Sequence, residues 1–395
     1  MMKDIYLDHA ATTYTDRRVL KEMLPYFNEI YGNPSSLHET GRKAAKAVAT
    51  ARAQVAAAIN AKPEEIYFTA GGTESDNWAL RIALAGKDKK DCHIITSAIE
   101  HHAILHACQQ LEKEGCAVTY LPVDEYGRVS VDSVSQALKP NTVLVSIMAA
   151  NNEIGTLEPI REIGAILKDK PTLFHTDAVQ AMGAVPVNVE DWGVDMLSMS
   201  AHKFYGPKGV GALYVRKGIK IVSFIHGGAQ ERRHRAGTEN VPGIVGMGKA
   251  IELAQESLSE ESARLTTLRD KLINGIIERI PEIRLDGHPT ERLPNNVHFC
   301  FKYIEGEALL LSLDAEGIRA SSGSACTSGA LDPSHVLLAL GLDHGTAHGS
   351  LRITLGHVTT EDDIDYVLDT LPGIVERLRM MSPLFNQQEG GKTLV

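Results

Sequence analysis

No apolar run in the chain approaches the ~20 residues that a helix needs to cross a bilayer. The opening stretch, from Met1 through Lys3 and Asp4 to Asp8, has no hydrophobic core of the signal-peptide kind, so the expected compartment is the cytoplasm. Cysteine is scarce. Cys92, Cys108, Cys116, Cys300 and Cys326 are odd in number and contain no C-x-x-C pair, which argues against both a disulfide framework and a zinc cage, and no resident metal is expected. Positive charge is in deficit. Forty Lys and Arg against fifty Asp and Glu give a net charge of −10, which repels polyanions and makes nucleic acid and acidic membrane poor partners. Internal repeats and low-complexity segments are lacking as well.

What remains is a chain of 395 residues, 43% hydrophobic and 23% charged, a globular composition that excludes disorder, collagen and coiled coil. At that length one core has stopped growing, so a large domain with a smaller one is expected, together burying roughly 75% of the unfolded surface. Between about residues 60 and 215, helical stretches alternate with short β-branched runs at Ile66–Thr69, His93–Thr96, Val118–Leu121, Thr142–Ile147, Leu173–Thr176 and Met196–Met199. Such alternation predicts parallel strands with crossover helices. Polar or glycine-rich residues follow these runs, which puts the ligand crevice beyond the carboxyl ends of the strands. Ile251–Ile280 reads as a long charged amphipathic helix linking two lobes. Beyond it, strand-like Asn296–Phe301 and Ser350–Leu355, helical Glu305–Asp314 and a helix starting at Thr360 suffice for a small α+β domain, and the residues after Ser382 read as a loose tail.

Four segments carry residue types that do chemistry. In Ala70-Gly71-Gly72-Thr73-Glu74, a strand gives way through glycines to a helix start; this is either a phosphate cup or a tight turn with an ordinary threonine, and it lacks the spacing of known nucleotide loops. In Ser200-Ala201-His202-Lys203, a lysine follows an apolar strand directly, and a lysine beside a crevice can lose its proton and attack carbonyls. Asp177 stands just past another strand. A lysine that forms an imine and a carboxylate that keeps a ring nitrogen protonated are what pyridoxal phosphate needs. Cys326 lies in Ser321-Ser322-Gly323-Ser324-Ala325-Cys326-Thr327-Ser328-Gly329, small polar residues that cannot pack a core and are expected to form an exposed, mobile loop. Its thiol is either a nucleophile or an incidental loop cysteine, and composition does not separate the two. The other four cysteines read as small buried hydrophobes.

Together, Ser-Ala-His-Lys-Phe-Tyr-Gly-Pro-Lys-Gly around Lys203 and Ser-Ser-Gly-Ser-Ala-Cys-Thr-Ser-Gly around Cys326 resemble cysteine desulfurases of the NifS/IscS family, fold-type-I pyridoxal-phosphate enzymes. The resemblance runs nearly end to end, through Tyr6–Thr13, Gly32–Ser36, Ala98–Ala103, Ala150–Gly155, Arg235–Pro242 and Leu351–Thr354. It implies an α/β fold: a large domain over residues 15–256, with a mixed, mostly parallel sheet flanked by helices, and a small α+β domain made of residues 1–14 with 257–382. Residues 383–395 form the tail.

The resemblance further implies that Lys203 carries pyridoxal 5'-phosphate and moves protons, that Asp177 pairs with the ring nitrogen, and that Gln180 and Asn152 bond the ring hydroxyl. His101 stacks on the ring and exchanges protons with substrate or product; taken by itself it reads as a helix-cap or core histidine. Gly72, Thr73, Ser200 and His202 hold the phosphate, with Thr238 reaching it from the other subunit of a homodimer. Arg352 catches the carboxylate of L-cysteine, a task its planar fork suits, and Asn33 and Asn152 assist. Cys326 takes the sulfur as a persulfide, L-alanine leaves, and the loop carries the sulfur to an acceptor such as an iron–sulfur scaffold; a transient contact of Cys326 with a nascent cluster is the one metal contact implied. Two other readings are an aminotransferase or selenocysteine lyase of the same fold that does not use Cys326, and a scaffold that keeps only the fold. A scaffold has no need of Lys203, Asp177, His101, Arg352 and Cys326 together. His234 receives no role, and the identity of the sulfur acceptor is left open.

Overall fold

The computed structural model describes residues 3–323, 333–383 and 385. Its largest layer is a seven-stranded sheet built from β2 (Ile66–Thr69), β3 (His93–Ser97), β4 (Ala117–Leu121), β5 (Thr142–Ser146), β6 (Leu173–Asp177), β7 (Met196–Ser200) and β8 (Gly211–Val215), in the order β2-β8-β7-β6-β5-β3-β4. Every pairing is parallel except the two that β8 makes with β2 and β7, so the sheet is mixed and mostly parallel. Strands β3, β5, β7 and β8 are buried along their whole length, which explains why they read as continuous apolar runs rather than as an alternation. Helices cover both faces, and their apolar sides build two cores against the sheet, one around Phe68, Phe174 and Met199 and the other around Trp78, Ile94 and Leu144.

A separate core forms around a three-stranded antiparallel sheet, β9 (Ile283–Leu285), β10 (Asn296–Phe301) and β12 (Ser350–Thr354), with β10 in the middle. The short strand β1 (Ile5–Tyr6) pairs in parallel with β11 (Ile318–Arg319) beside this sheet. The helix Val241–Arg279 spans both units: its first half packs with Met182 and Phe204, and its second half with Phe299 and Leu368.

That helix begins ten residues before the charged pattern predicts. Asn240 caps it by accepting from the Gly243 amide, and Pro242 occupies its first turn. Its opening turns are buried nearly all round, with Gly246 and Gly248 letting Met23 and Ala51 approach closely. A helix buried on every side shows no polar face, so the amphipathic signal starts only where the helix emerges. The remaining strands and helices expected from the sequence appear within a residue or two of their expected bounds.

The topology sets up the site. The carboxyl ends of β2, β3, β5, β6 and β7 lie on one edge of the sheet, and there the chain presents Gly72 and Thr73, His101, Asn152, Asp177 and Lys203 in turn.

Candidate active site

Those residues line one cavity of about 350 Å³, together with Gln180, Ser200, His202 and Arg352. It connects through Gly72, Thr73, Ser200 and His202 to a more open hollow of about 730 Å³. The helix Gly72–Ala83 points its amino end at this junction. Its cap residue, Gly71, has φ of 155° and contributes no side-chain hydrogen bond, leaving the first amides of a twelve-residue helix without a side-chain acceptor.

Lys203 closes a single 3-10 turn after β7, and its Nζ donates to the carbonyls of Ala10 at 2.5 Å and Ala11 at 2.9 Å. Gln180 Nε2 also donates to the Ala10 carbonyl, at 3.0 Å, so the N-terminal segment forms one wall of the cavity. Asp177, the last residue of β6, accepts from the Val179 amide at 2.8 Å. Burial lifts its carboxyl above the ordinary range, while the Val179 amide and the Lys203 charge pull it back. Asp76 is lifted further, by burial and by the neighbouring Asp177 charge. Behind them His175 is fully buried, bonded at 2.9 Å to Ser146 and at 2.9 Å to Ser198, and burial alone lowers its pKa to about 3.

His101 is both a helix cap and part of the cavity wall. As the cap of the helix His102–Lys113 it accepts from the Ala103 amide at 3.1 Å, and it also lines the cavity. Burial first, then the charge of Lys203, hold its imidazole below the ordinary histidine value, so the ring is a neutral proton acceptor. His202 is neutral for the same reasons, pulled down to about 4 by burial, Lys203 and Lys208, and its Nδ1 lies 3.1 Å from Thr12 Oγ1. Arg352, on β12, has its side chain only 2% exposed. Its Nη2 donates to Asp8 Oδ1 at 2.9 Å, its Nη1 to the carbonyls of Asn152 at 3.0 Å and Gly323 at 3.3 Å, and its Nε has no partner.

Two residues expected at the site are absent from this cavity. Asn33 is exposed and its Oδ1 accepts from the Ser35 amide at 2.9 Å; Thr238 is exposed on the loop before the helix Val241–Arg279. Cys326 lies outside the described residues. Sequence reasoning overlooked Asp76 and Asp8. Asp76 stands one helical turn after Gly72, a spacing that points a side chain back at the same strand end. Asp8 carries no local signal, because its partner is 344 residues away.

Comparison with known proteins agrees with this geometry. The sequence pattern of the aminotransferase class-V family matches residues 5–367. The chain is 61% identical over 388 residues, 98% of each chain, to the cysteine desulfurase IscS of Clostridium botulinum strain Hall. It is 57% identical over 383 residues to the cysteine desulfurase IscS of Methanosarcina thermophila, covering 97% of this chain and 94% of that one. Among solved structures, a NifS-like protein superposes with a TM-score of 0.89 at 42% identity, over 95% of this chain and all of the other. The protein SspA, solved in complex with cysteine, does so with a TM-score of 0.80 at 38% identity, over 89% of this chain and 98% of the other. A chain matched over residues 5–367 by the class-V pattern and over nearly its whole length by desulfurases at this identity belongs to the class-V aminotransferase family and, within it, to the cysteine desulfurases.

Proposed function

We propose that this chain removes the sulfur of L-cysteine, releases L-alanine, and holds the sulfur as a persulfide on Cys326 for an acceptor protein of iron–sulfur assembly or another sulfur-transfer route. The observation that carries the reading is the single cavity lined by Lys203, Asp177, His101 and Arg352. Pyridoxal 5'-phosphate fits the residues present: an amine at Lys203, an acid at Asp177, and a helix amino end at Gly72 and Thr73 that no side chain caps. Ser200 and His202 stand beside that helix end, and Gln180 and Asn152 line the wall between it and Arg352. When bound, this cofactor supplies an electron sink next to the amino acid nitrogen.

The chain's own residues do the rest. Arg352 receives the substrate carboxylate through the unpartnered Nε and the adjacent Nη2, which Asp8 holds until then. Asp177 offers its carboxylate to a protonated ring nitrogen, the Val179 amide and the Lys203 charge favouring its ionised form. Lys203 and the neutral His101 accept and return protons at the carbons of the bound amino acid. The Cys326 thiolate attacks the cysteine sulfur: an S–S bond forms, the Cβ–S bond breaks, and the carbon left behind takes up a proton to become the methyl group of alanine.

A homodimer belongs to the same proposal. Leu20, Leu24, Phe27, Tyr31 and Leu37 are exposed in one stretch of chain, Tyr31 to 74% and Leu37 to 91%, an apolar surface that a second copy would cover. Thr238, exposed on its own chain, is then available to the partner's phosphate site. Division into a large domain at 15–256 and a small one from 1–14 with 257–382 is supported by the separate cores that the helix Val241–Arg279 joins. No helix among the described residues is long and apolar enough to cross a membrane, which suits the cytoplasmic expectation.

The test is Cys326→Ala. It should keep the lysine-bound cofactor absorbance and lose sulfide release from cysteine. Undiminished sulfide release would overturn the persulfide step. Turnover of a keto acid indifferent to the substitution would point to aminotransfer.

A further inference from the structure

Strand β10 and the residue after β9 carry a cluster that the desulfurase reaction leaves unused. His298 and Cys300 alternate onto the same face of β10, and Asp286 stands beside them. All three are fully buried, and one ligand atom from each lies within 4.8 Å of the others. His298 Nδ1 is 3.0 Å from Asp286 Oδ2, while Asp286 Oδ1 and His298 Nε2 have no hydrogen-bond partner. The Arg284 guanidinium comes within 3.1 Å of Asp286 Oδ1 and balances its charge without satisfying that oxygen. His298 Nε2 is thus a polar atom without a hydrogen bond in the interior, where most such groups are paired. One sulfur, one imidazole nitrogen and one carboxylate oxygen are the donor types of a borderline divalent ion such as Zn²⁺.

We propose that Asp286, His298 and Cys300 bind one divalent transition-metal ion of the zinc class. The ion takes the thiol of Cys300 as thiolate, releasing that proton to solvent, and bonds His298 at Nδ1, so that the imidazole proton moves to Nε2. An acceptor for that proton is at hand. A methyl group placed on Gly323 would lie 3.4 Å from His298 Nε2 and 3.1 Å from Glu153 Oε2, so the imidazole nitrogen and the carboxylate face the same small space. Glu153 belongs to the segment after β5, whereas the three ligands belong to the β9–β10 unit. The ion would therefore lie in the small unit beside Arg352, which sits opposite His298 in the β10–β12 register.

The test uses the cofactor-loaded enzyme equilibrated with one equivalent of Zn²⁺ and then desalted. Wild type and Cys326→Ser are expected to retain about one zinc per chain, the second variant excluding the other thiol as ligand. Cys300→Ser and His298→Asn should lose the zinc, and Glu153→Gln should weaken its retention about 10- to 100-fold. Zinc-edge X-ray absorption of wild type and Cys326→Ser should show one sulfur at about 2.3 Å, a readout that holds even where Cys300→Ser fails to fold. Absence of retained zinc in wild type overturns the proposal. So does zinc lost in Cys326→Ser, or a spectrum without sulfur.

Discussion

Arg352→Lys isolates what the guanidinium fork contributes to substrate capture. In the protein the fork is already engaged: Nη2 with Asp8 at 2.9 Å, Nη1 with the Asn152 carbonyl at 3.0 Å and more loosely with the Gly323 carbonyl at 3.3 Å, leaving Nε without a partner. A carboxylate arriving in the cavity can take Nε and the adjacent Nη2 as a pair once the Asp8 contact is shared or yields. Lysine keeps the charge and loses the pair. One charge-assisted hydrogen bond is worth about 1.5–3 kcal/mol, so kcat/KM for L-cysteine should fall about 10- to 150-fold. The loss should appear mainly in KM, because the carboxylate is gripped equally before and during bond breaking. Steady-state alanine formation measures it, with cofactor absorbance and thermal midpoint checking that the fold survives the lost ties to Asn152 and Gly323. A kcat/KM within about twofold of wild type, or a fall in kcat with KM unchanged, would refute the reasoning.

Glu100→Gln tests the buried acid behind β3. Burial raises Glu100 to about 8, although Ser97 Oγ at 2.6 Å and the Met148 amide at 3.0 Å favour its ionised form. A folded pKa above the unfolded one means stability that is fully present below about pH 4.5 and lost as pH rises toward 8. Denaturation midpoints at pH 6 and pH 8 should therefore diverge in favour of the glutamine variant, on the order of 1 kcal/mol per pH unit, and parallel behaviour would reject this. Gly317 has φ of 77°, and a Cβ there would lie 1.8 Å from the Lys3 carbonyl. Gly317→Ala should cost roughly 1–3 kcal/mol and release β1 from β11, seen as faster amide exchange at Ile5, whose N–H donates to Gly317 at 2.8 Å. Thr238→Ala should weaken cofactor retention about tenfold or more. Co-expression with Lys203→Ala chains should restore it in the mixed dimer, since the intact threonine then comes from the chain without the lysine; no restoration would argue that Thr238 serves its own chain.

The sheet was legible because its strands are short, rich in β-branched and other apolar residues, and regularly spaced between helical stretches. Lys203 and Asp177 could be read for a related reason: each stands at the carboxyl end of a strand, and the sheet edge brings strand ends together whatever the intervening length, whereas His101 gained its role only through the family resemblance. Asp8 and Asp76 escaped because their importance comes from partners in space. Asp8 is defined by Arg352, and Asp76 by the charge of Asp177. His298 and Cys300 were readable as facing one way from their alternation, but nothing local announces Asp286 beside them, so Cys300 passed for an inert core thiol. Asn33 and Thr238 differ again. Their exposure on this chain follows if their work is done across a subunit boundary, which no single chain displays.

The N-terminal segment explains how a site assembled from two units keeps its geometry. Leu7 donates to Arg319 at 2.8 Å and accepts from Thr354 at 2.7 Å, which fastens the segment to the small unit. By Thr13 it has crossed to the large one, where Thr13 donates to the His202 carbonyl at 2.9 Å and accepts from the Tyr205 amide at 2.9 Å, bracketing the turn that bears Lys203. Between these anchors lie Asp8, which holds Arg352, and Ala10 and Ala11, whose carbonyls hold the lysine. The distance from the arginine to the amine is therefore set by a short turn, in which Ala11 donates to the Asp8 carbonyl at 3.1 Å, pinned at both ends. Loosening one anchor, as Gly317→Ala does, should shift both groups, so KM for cysteine and cofactor retention should change together. A variant that lost strand pairing at β1 yet altered neither would show that the two units hold their spacing through the helix Val241–Arg279 alone.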